Sequence, residues 1–330
     1  MGLITRAIDA GKDYRNPLGD VAEGLFVDVG DTSAKLSQFW MLLVLSATIA
    51  AGGVIGDATP AVIGAMIVAP LATPIYGVAL AAVMGSSKHL RTALILLVGG
   101  IAVNIAIGFV VGALTSQTVP LDANPQIMGR TAPRVLDLMV AVATGIAGSF
   151  ALTRRDVSNI LAGVAIAISL VPVLAVVGIT LGAGRLDLAW GALLLFLTNV
   201  AAILVAGTIT FGAAGYGREA AKRDPRLARR ARTIVGLLVV ALLVPLGIAS
   251  MRTAQYEGYV RATTHTAQDW VKDTNWKLDS VQVAGDEIVI TVLGPDKPPP
   301  VEELAAGVRR EVPDHVPVRL VEESGTETEL

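Results

Sequence analysis

Cysteine is absent from the 330 residues, which excludes disulfides, thiolate metal sites and thiol nucleophiles while leaving the redox compartment open. Histidine is scarce. His89, His265 and His315 are the only three; none lies close in sequence to a second cluster of ligand type, and no HExxH, nucleophile elbow or phosphate-binding loop occurs. Metal and cofactor chemistry find no footing, and an enzyme is not expected. Charge is thin too, at 16% of residues, with aromatics at 5%. What fills the chain is apolar: 53% hydrophobic residues and a mean hydropathy of +0.63 set it apart from an ordinary soluble domain.

The few charges are segregated. Uncharged stretches run over Leu36–Gly56, Ala58–Ser87, Thr92–Leu121, Leu138–Thr153, Val157–Gly184, Leu188–Gly217 and Thr233–Met251. Most exceed the roughly 20 apolar residues that cross a hydrocarbon core about 30 Å thick. This predicts a mainly α-helical polytopic membrane protein with seven transmembrane helices over 36–251, the fourth of them shortest and starting near Arg134. Residues 1–35, polar and mixed in charge, show no cleavable signal peptide, so the first span is expected to direct insertion. With this N-terminal segment in the cytoplasm, Lys35, Lys88, Arg91, Arg154, Arg155 and the basic run Gly217–Arg232 all fall inside. Only Arg130, Arg134 and Arg185 fall in short outer loops, the asymmetry of the positive-inside rule for a cytoplasmic (inner) membrane. A re-entrant hairpin at Ala58–Ser87 would move Lys88 and Arg91 outside and the run after Gly217 with them.

An odd number of spans exports the C-terminal part. From Arg252 onward it holds 8 Lys or Arg against 15 Asp or Glu. Gln255–Trp276 reads as a helix, LDSVQV and EIVITVLG as a hairpin, VEELAAGVRREV as an amphipathic helix and VPVRLVEE as a strand. The prediction is an extracytoplasmic α-β-β-α-β domain over 252–323, followed by a disordered tail at 324–330. So small a sheet suits either an independent cap or packing against a second copy, and the latter makes a homo-oligomer the expected state.

Two stretches, about 36–121 and 134–217, repeat one order of features. A Gly-rich helix comes first, with IAAGG at Ile49–Gly53 and GIAGS at Gly145–Ser149. A proline-broken segment follows, Gly64–Gly77 and then Gly163–Gly178, and a helix with a central asparagine closes each set, Asn104 and Asn199. Three spans per set place the second upside down relative to the first, an inverted 3+3 repeat. The extra span 233–251 connects and anchors.

The broken segments carry the site hypothesis. Proline removes a backbone donor and opens the preceding turn, and hydrocarbon cannot solvate the freed carbonyls. Pro70 and Pro74 bias Ala69 and Thr73 away from helical geometry, and the fifth span repeats the pattern with Ser169 and Pro172. Unwound main chain here would offer carbonyls and the positive end of a half-helix to a small solute; an inert kink satisfied by neighbours is the alternative. Asn104 and Asn199 would be ligands beside the breaks or pins between helices. Asp137, near a helix start, would couple a proton or serve as a dipole-stabilised residue. Ser46 and Thr48 are expected to bond to their own helix. Gly52, Gly53, Gly99, Gly100, Gly145 and Gly148 are expected to permit close helix approach.

In its two proline signatures the chain resembles the family known as domain of unknown function 389. The first, "GAM-x-x-APL-x-x-PI-x-G", falls on Gly64, Ala65, Met66, Ala69, Pro70, Leu71, Pro74, Ile75 and Gly77. The second, "A-x-x-x-VP-x-x-A-x-x-G", falls on Ala167, Val171, Pro172, Ala175 and Gly178; Val173 stands where many relatives carry another proline, which implies a milder second break. The resemblance implies a multi-span membrane fold and no particular activity. The functional expectation from the residues is a transporter or channel-like protein for a small neutral or anionic solute, its partners the lipid bilayer and that solute, with no nucleic acid. A membrane-anchored sensor or assembly scaffold, acting through its exported domain, is the alternative.

Overall fold

A computed structural model describes residues 14–115, 120–131, 135–157, 170–223, 255–256, 258–284, 287–294 and 298–324, together with 226, 233, 236 and 237. The chain divides into two compact units, Met1–Ile248 and Ala249–Leu330.

The first unit is built of helices: α1 (Leu18–Leu25), α2 (Thr32–Ile55), α3 (Thr59–Val68), α4 (Ala72–Met84), α5 (Ser87–Thr115), a short α6 (Pro125–Met128), α7 (Val135–Thr153), α8 (Leu170–Gly182), α9 (Leu186–Ala213) and α10 (Tyr216–Arg223). Four are long and apolar enough to cross a membrane: α2, α5, α7 and α9. The pair α3 and α4 passes the same test together, bent by 41° at the break between them. The expected seven spans thus reduce to four unbroken helices and one bent pair among the described residues. Part of the fifth expected span, 158–169, and nearly all of the seventh lie outside those residues.

Local signals explain the boundaries. Asp31 caps α2, its carboxylate accepting from the Ala34 amide at 3.0 Å. Pro70 forces Ala69 out of helical geometry to an extended ψ of 126°, so α3 stops at Val68. Pro74, by contrast, is the third residue of α4. A first-turn amide has no intrahelical acceptor, so proline there starts a helix rather than breaking one. The expectation that Thr73 is also pushed from helical geometry is corrected on this ground.

Helices α4 and α8 are the buried centre. Each has 13 residues, and Pro74–Val83 and Leu170–Thr180 are buried throughout. Both pack on α5 and on α9; α2 flanks α5 and α8, and α7 lies along α9. The outward faces of α2, α5 and α7 expose Met41, Ile95, Val98, Phe109, Leu136 and Met139.

In lipid, apolar helices gain no hydrophobic free energy by meeting, so association depends on contact quality and polar pairing. The α5–α8 seam obtains it by main-chain approach. A Cβ on Gly112 would lie 2.2 Å from the Ile179 carbonyl oxygen, and one on Gly178 would lie 2.3 Å from that of Ile105. Gly108 and Gly182 are as tightly faced, so two glycines four apart on each helix interlock. Gly145 meets Ile203 of α9 in the same manner, at 2.9 Å from its Cα.

Polar residues gather the connecting segments at two ends. At one, Arg15 pairs with Glu219 at 3.0 Å, Arg155 with Asp20 at 3.1 Å, and Asp28 with His89 at 3.0 Å. At the other, the Asn124 amide donates to the Val54 carbonyl at 2.9 Å, and Arg185 pairs with Asp122 at 2.8 Å. The N-terminal segment, read from sequence as a polar stretch, is drawn into the first of these ends. Leu18, Val21, Leu25 and Phe26 are buried, α1 packs on α4, and Lys35 closes the end of α1 by donating to the Glu23 and Val29 carbonyls.

The second unit has the expected order. Helix α11 (258–271) precedes β1 (Lys277–Ala284), β2 (Glu287–Gly294), α12 (Val301–Glu311) and β3 (Val318–Ser324). The sheet order is β1-β2-β3, antiparallel for the hairpin and parallel between β2 and β3 across the α12 crossover. Alternate residues Ile288, Ile290 and Val292 enter a core with Leu304, Val308 and Trp276. Gly294 is required there, because a Cβ would fall 2.2 Å from the Trp276 ring.

Two outcomes test this account. Gly178→Ala should lower stability by about 1–3 kcal/mol in thermal unfolding of the detergent-solubilised chain, whereas Gly52→Ala, with nothing within 4 Å of the new methyl, should be neutral. Burial alone pushes the Asp28 carboxyl up, but hydrogen bonds and charge from His89, with a further bond from Lys88, outweigh it and hold its pKa below 3.8. A depressed carboxyl stabilises the fold above the unfolded-state pKa and loses that contribution as pH falls through the folded value. Unfolding scans between pH 7 and pH 3 should therefore show an acid loss that Asp28→Asn reduces.

Candidate functional site

The break between α3 and α4 leaves polar main chain in an apolar setting. Pro70 has no amide to offer the Met66 carbonyl, while the Ala69 amide still reaches the Ala65 carbonyl at 3.1 Å and the Thr73 amide turns back to that of Pro70 at 3.2 Å. Pro70 and Thr73 are half-buried and Pro74 is buried. Leu71, beside the break, is buried against the open face of Gly100 on α5, 2.8 Å from where its Cβ would be.

That contact locates Asn104. Gly100, Asn104 and Gly108 follow one another at four-residue spacing on the inner face of α5, where Gly108 faces Ala175 and Gly178 of α8. Asn104 therefore stands between the residue that precedes α4 and the early turns of α8. It is fully buried, and neither its amide nitrogen nor its carbonyl oxygen has a hydrogen-bond partner among the described residues.

Asn199 reaches the same level from α9. Gly207 of α9 faces Tyr76 and Ala79 of α4; Asn199 precedes it by about two turns, about 12 Å of rise, which reaches slightly past the start of α4 to the level of the break before it. It is 8% exposed, and its carbonyl oxygen has no partner. The start of α4, with the partial positive charge of a macrodipole, thus shares a level with two carboxamides that leave both polar atoms of Asn104 and the carbonyl oxygen of Asn199 unpartnered among the described residues. A buried amide without a partner costs about 1–3 kcal/mol, so this arrangement is held by surrounding packing, and its chemistry is that of a small polar or anionic ligand.

Of the remaining expected site residues, Pro172 is buried in α8, and Ser169 lies outside the described residues. Asp137 is half-buried in the first turn of α7 and is not without a partner. Ser46 and Thr48 donate to the Leu43 and Val44 carbonyls of their own helix. Sequence reasoning missed Tyr76, whose hydroxyl donates to the Gly145 carbonyl at 3.3 Å and ties α4 to α7. It also passed over the four glycines of the α5–α8 seam, although their small-xxx-small spacing was visible.

A family model described as domain of unknown function (DUF389) matches residues 66–205. Over this segment the chain is similar to the DUF389 family. The DUF389 segment begins in α3, four residues before Pro70, and ends in α9, six residues after Asn199, so every candidate site residue falls within it. Helices α1 and α10 and the whole second unit fall outside. A protein of Methanocaldococcus jannaschii named Uncharacterized protein MJ0678 is 31% identical over 208 residues, covering 63% of this chain. The chain spans 64% of that relative's length. No solved structure matches the chain.

Replacing Asn104 with leucine, which has the same branch point and number of side-chain heavy atoms, removes two unsatisfied polar atoms. Asn104→Leu should unfold at higher temperature than the parent, by an increment of about 1–3 kcal/mol, in detergent thermal scans; a loss of stability would show that the carboxamide is a structural pin.

Proposed function

We propose that this chain is a transporter or channel-like protein of the cytoplasmic membrane that passes a small neutral or anionic solute by the level of Asn104 and Asn199. The observation that carries the reading is the convergence of two buried carboxamides, with three polar atoms unpartnered among the described residues, on the break that precedes α4. Structural pins acquire partners, because the alternative is an uncompensated polar group in hydrocarbon. Ligand groups are left open until a solute supplies the hydrogen bonds.

An inverted 3+3 arrangement fits the packing. Each 13-residue helix contacts the long helix of its own half and that of the other, α4 with α5 and α9, α8 with α9 and α5, the exchange expected of two related halves interlocked about the site. The end contacts favour one topology: segments near residues 16–35, 86–91, 153–156 and 216–219 meet at one end, and those near 54–59, 120–131 and 184–191 at the other. On this reading α3 and α4 make a single crossing, the basic end faces the cytoplasm, and a seventh span exports the second unit. Oligomer formation and any proton role for Asp137 are further parts of the proposal.

Liposomes containing the full chain, loaded in turn with chloride, nitrate and glycerol, test it. At least one probe should leave faster than from protein-free vesicles, and Asn104→Leu combined with Asn199→Leu should slow it at least about tenfold, equivalent to about 1.4 kcal/mol. Truncation after residue 254 should leave the flux. Flux that survives the double change, or that disappears only on truncation, would instead support the sensor or scaffold reading.

A further inference from the structure

Two adjoining hollows open on the outer surface at the basic end of α5. The first, about 480 Å³, is lined by Ser87, Leu90, Arg91, Leu94, Ile95 and Val98; the second, about 520 Å³, by Ser87, Lys88, Arg91, Thr92 and Ile95. Their linings recur every three or four residues, so both lie along one helix face. Polarity changes sharply down that face. Lys88 and Arg91 stand within the first two turns, and Leu94, Ile95 and Val98 continue below them, 41%, 59% and 62% exposed. From Arg91 to Val98 the helix rises about 10 Å, the depth of the upper part of one acyl chain in a leaflet about 15 Å deep.

Charge distinguishes this face from the rest of the same end. Arg15, Arg154 and Arg155 each have a carboxylate partner. Lys88 touches Asp28 at 3.3 Å but keeps 76% of its side chain exposed, and Arg91 makes no ion pair among the described residues. Two cations at the polar mouth of an apolar furrow are complementary to one kind of occupant, an amphiphile with an anionic head.

We propose that this furrow binds an anionic phospholipid, its phosphate held between Lys88 and Arg91 and one acyl chain laid along Leu94, Ile95 and Val98. The inference requires that the chain lie in a bilayer and does not depend on transport. Arg91 supplies a forked donor to the phosphate oxygens and Lys88 a mobile point charge. The hydroxyls of Ser87 and Thr92 border the head, and the absence of polar side chains from Leu94 to Val98 on this face suits only hydrocarbon below it.

The test uses the full chain in mixed micelles titrated with dioleoyl phosphatidylglycerol or dioleoyl phosphatidylcholine, with bound lipid counted by native mass spectrometry. The parent should favour the anionic lipid by at least about fivefold, the increment expected of one basic residue near a headgroup. Lys88→Gln combined with Arg91→Gln should bring that preference below about twofold, and Arg91→Lys should retain most of it. Arg218→Gln with Lys222→Gln, an equal charge change on α10, should leave it intact. Ile95→Trp, which places a bulky ring where the two linings overlap, should reduce retention of either lipid, and millimolar glycerol 1-phosphate should not displace bound lipid, which separates a lipid site from a free-phosphate site. Equal binding of the two lipids by the parent, or equal loss in the α10 variant, would overturn the proposal.

Discussion

Main-chain contact between α5 and α8 is the constraint on which the helical unit depends. Lipid tails are as apolar as leucine, so two helices that merely bury leucine against leucine are no better off together than apart. Gly108 and Gly112 against Gly178 and Gly182 bring the backbones close enough for Cα–H and carbonyl dipoles to interact, and any added methyl would force them apart. With that seam fixed, α8 has one possible height, and the position of Val171 to Leu174 beside Asn104 follows.

The same closeness governs the polar chemistry. A looser bundle would admit the rotations by which Asn104 could find a carbonyl, whereas here its neighbours along the stripe are glycines facing main chain already in contact. Tyr76 secures α4 to α7 by a hydrogen bond from its ring, leaving the start of α4 at the level of Asn199. Unsatisfied polar atoms persist because rigid surroundings deny them partners, a pattern typical of sites where structure is subordinated to binding.

Much of this was legible in the chain. The uncharged stretches announced helices, Pro70 announced a break, and alternating EIVITV announced the central strand of the second unit; each signal acts through its own residue and its immediate neighbours. What escaped depends on distant partners. Pro74 looks like a break until the helix boundary is known, since the same ring that disrupts an interior turn is harmless in a first one. The buried face of α1 escaped because Leu18, Val21 and Leu25 are spaced among charges that point elsewhere, and composition averaged over 1–35 conceals a three-residue stripe. Asn104 and Asn199 were visible as polar residues in apolar helices, but whether they lack partners is a property of the packed bundle alone.

The docking of α1 has a mechanical corollary. The Leu25 carbonyl lies 3.3 Å from where a side chain on Gly77 would begin, so the amino-terminal helix leans directly on the middle of α4, and Lys35 and the Asp28–His89 contact hold it there from either flank. Any slide or tilt of α4 drags this buttress along, which makes the amino-terminal segment a lever: a force applied to it at the water boundary is transmitted to the depth of the bundle without passing through another helix.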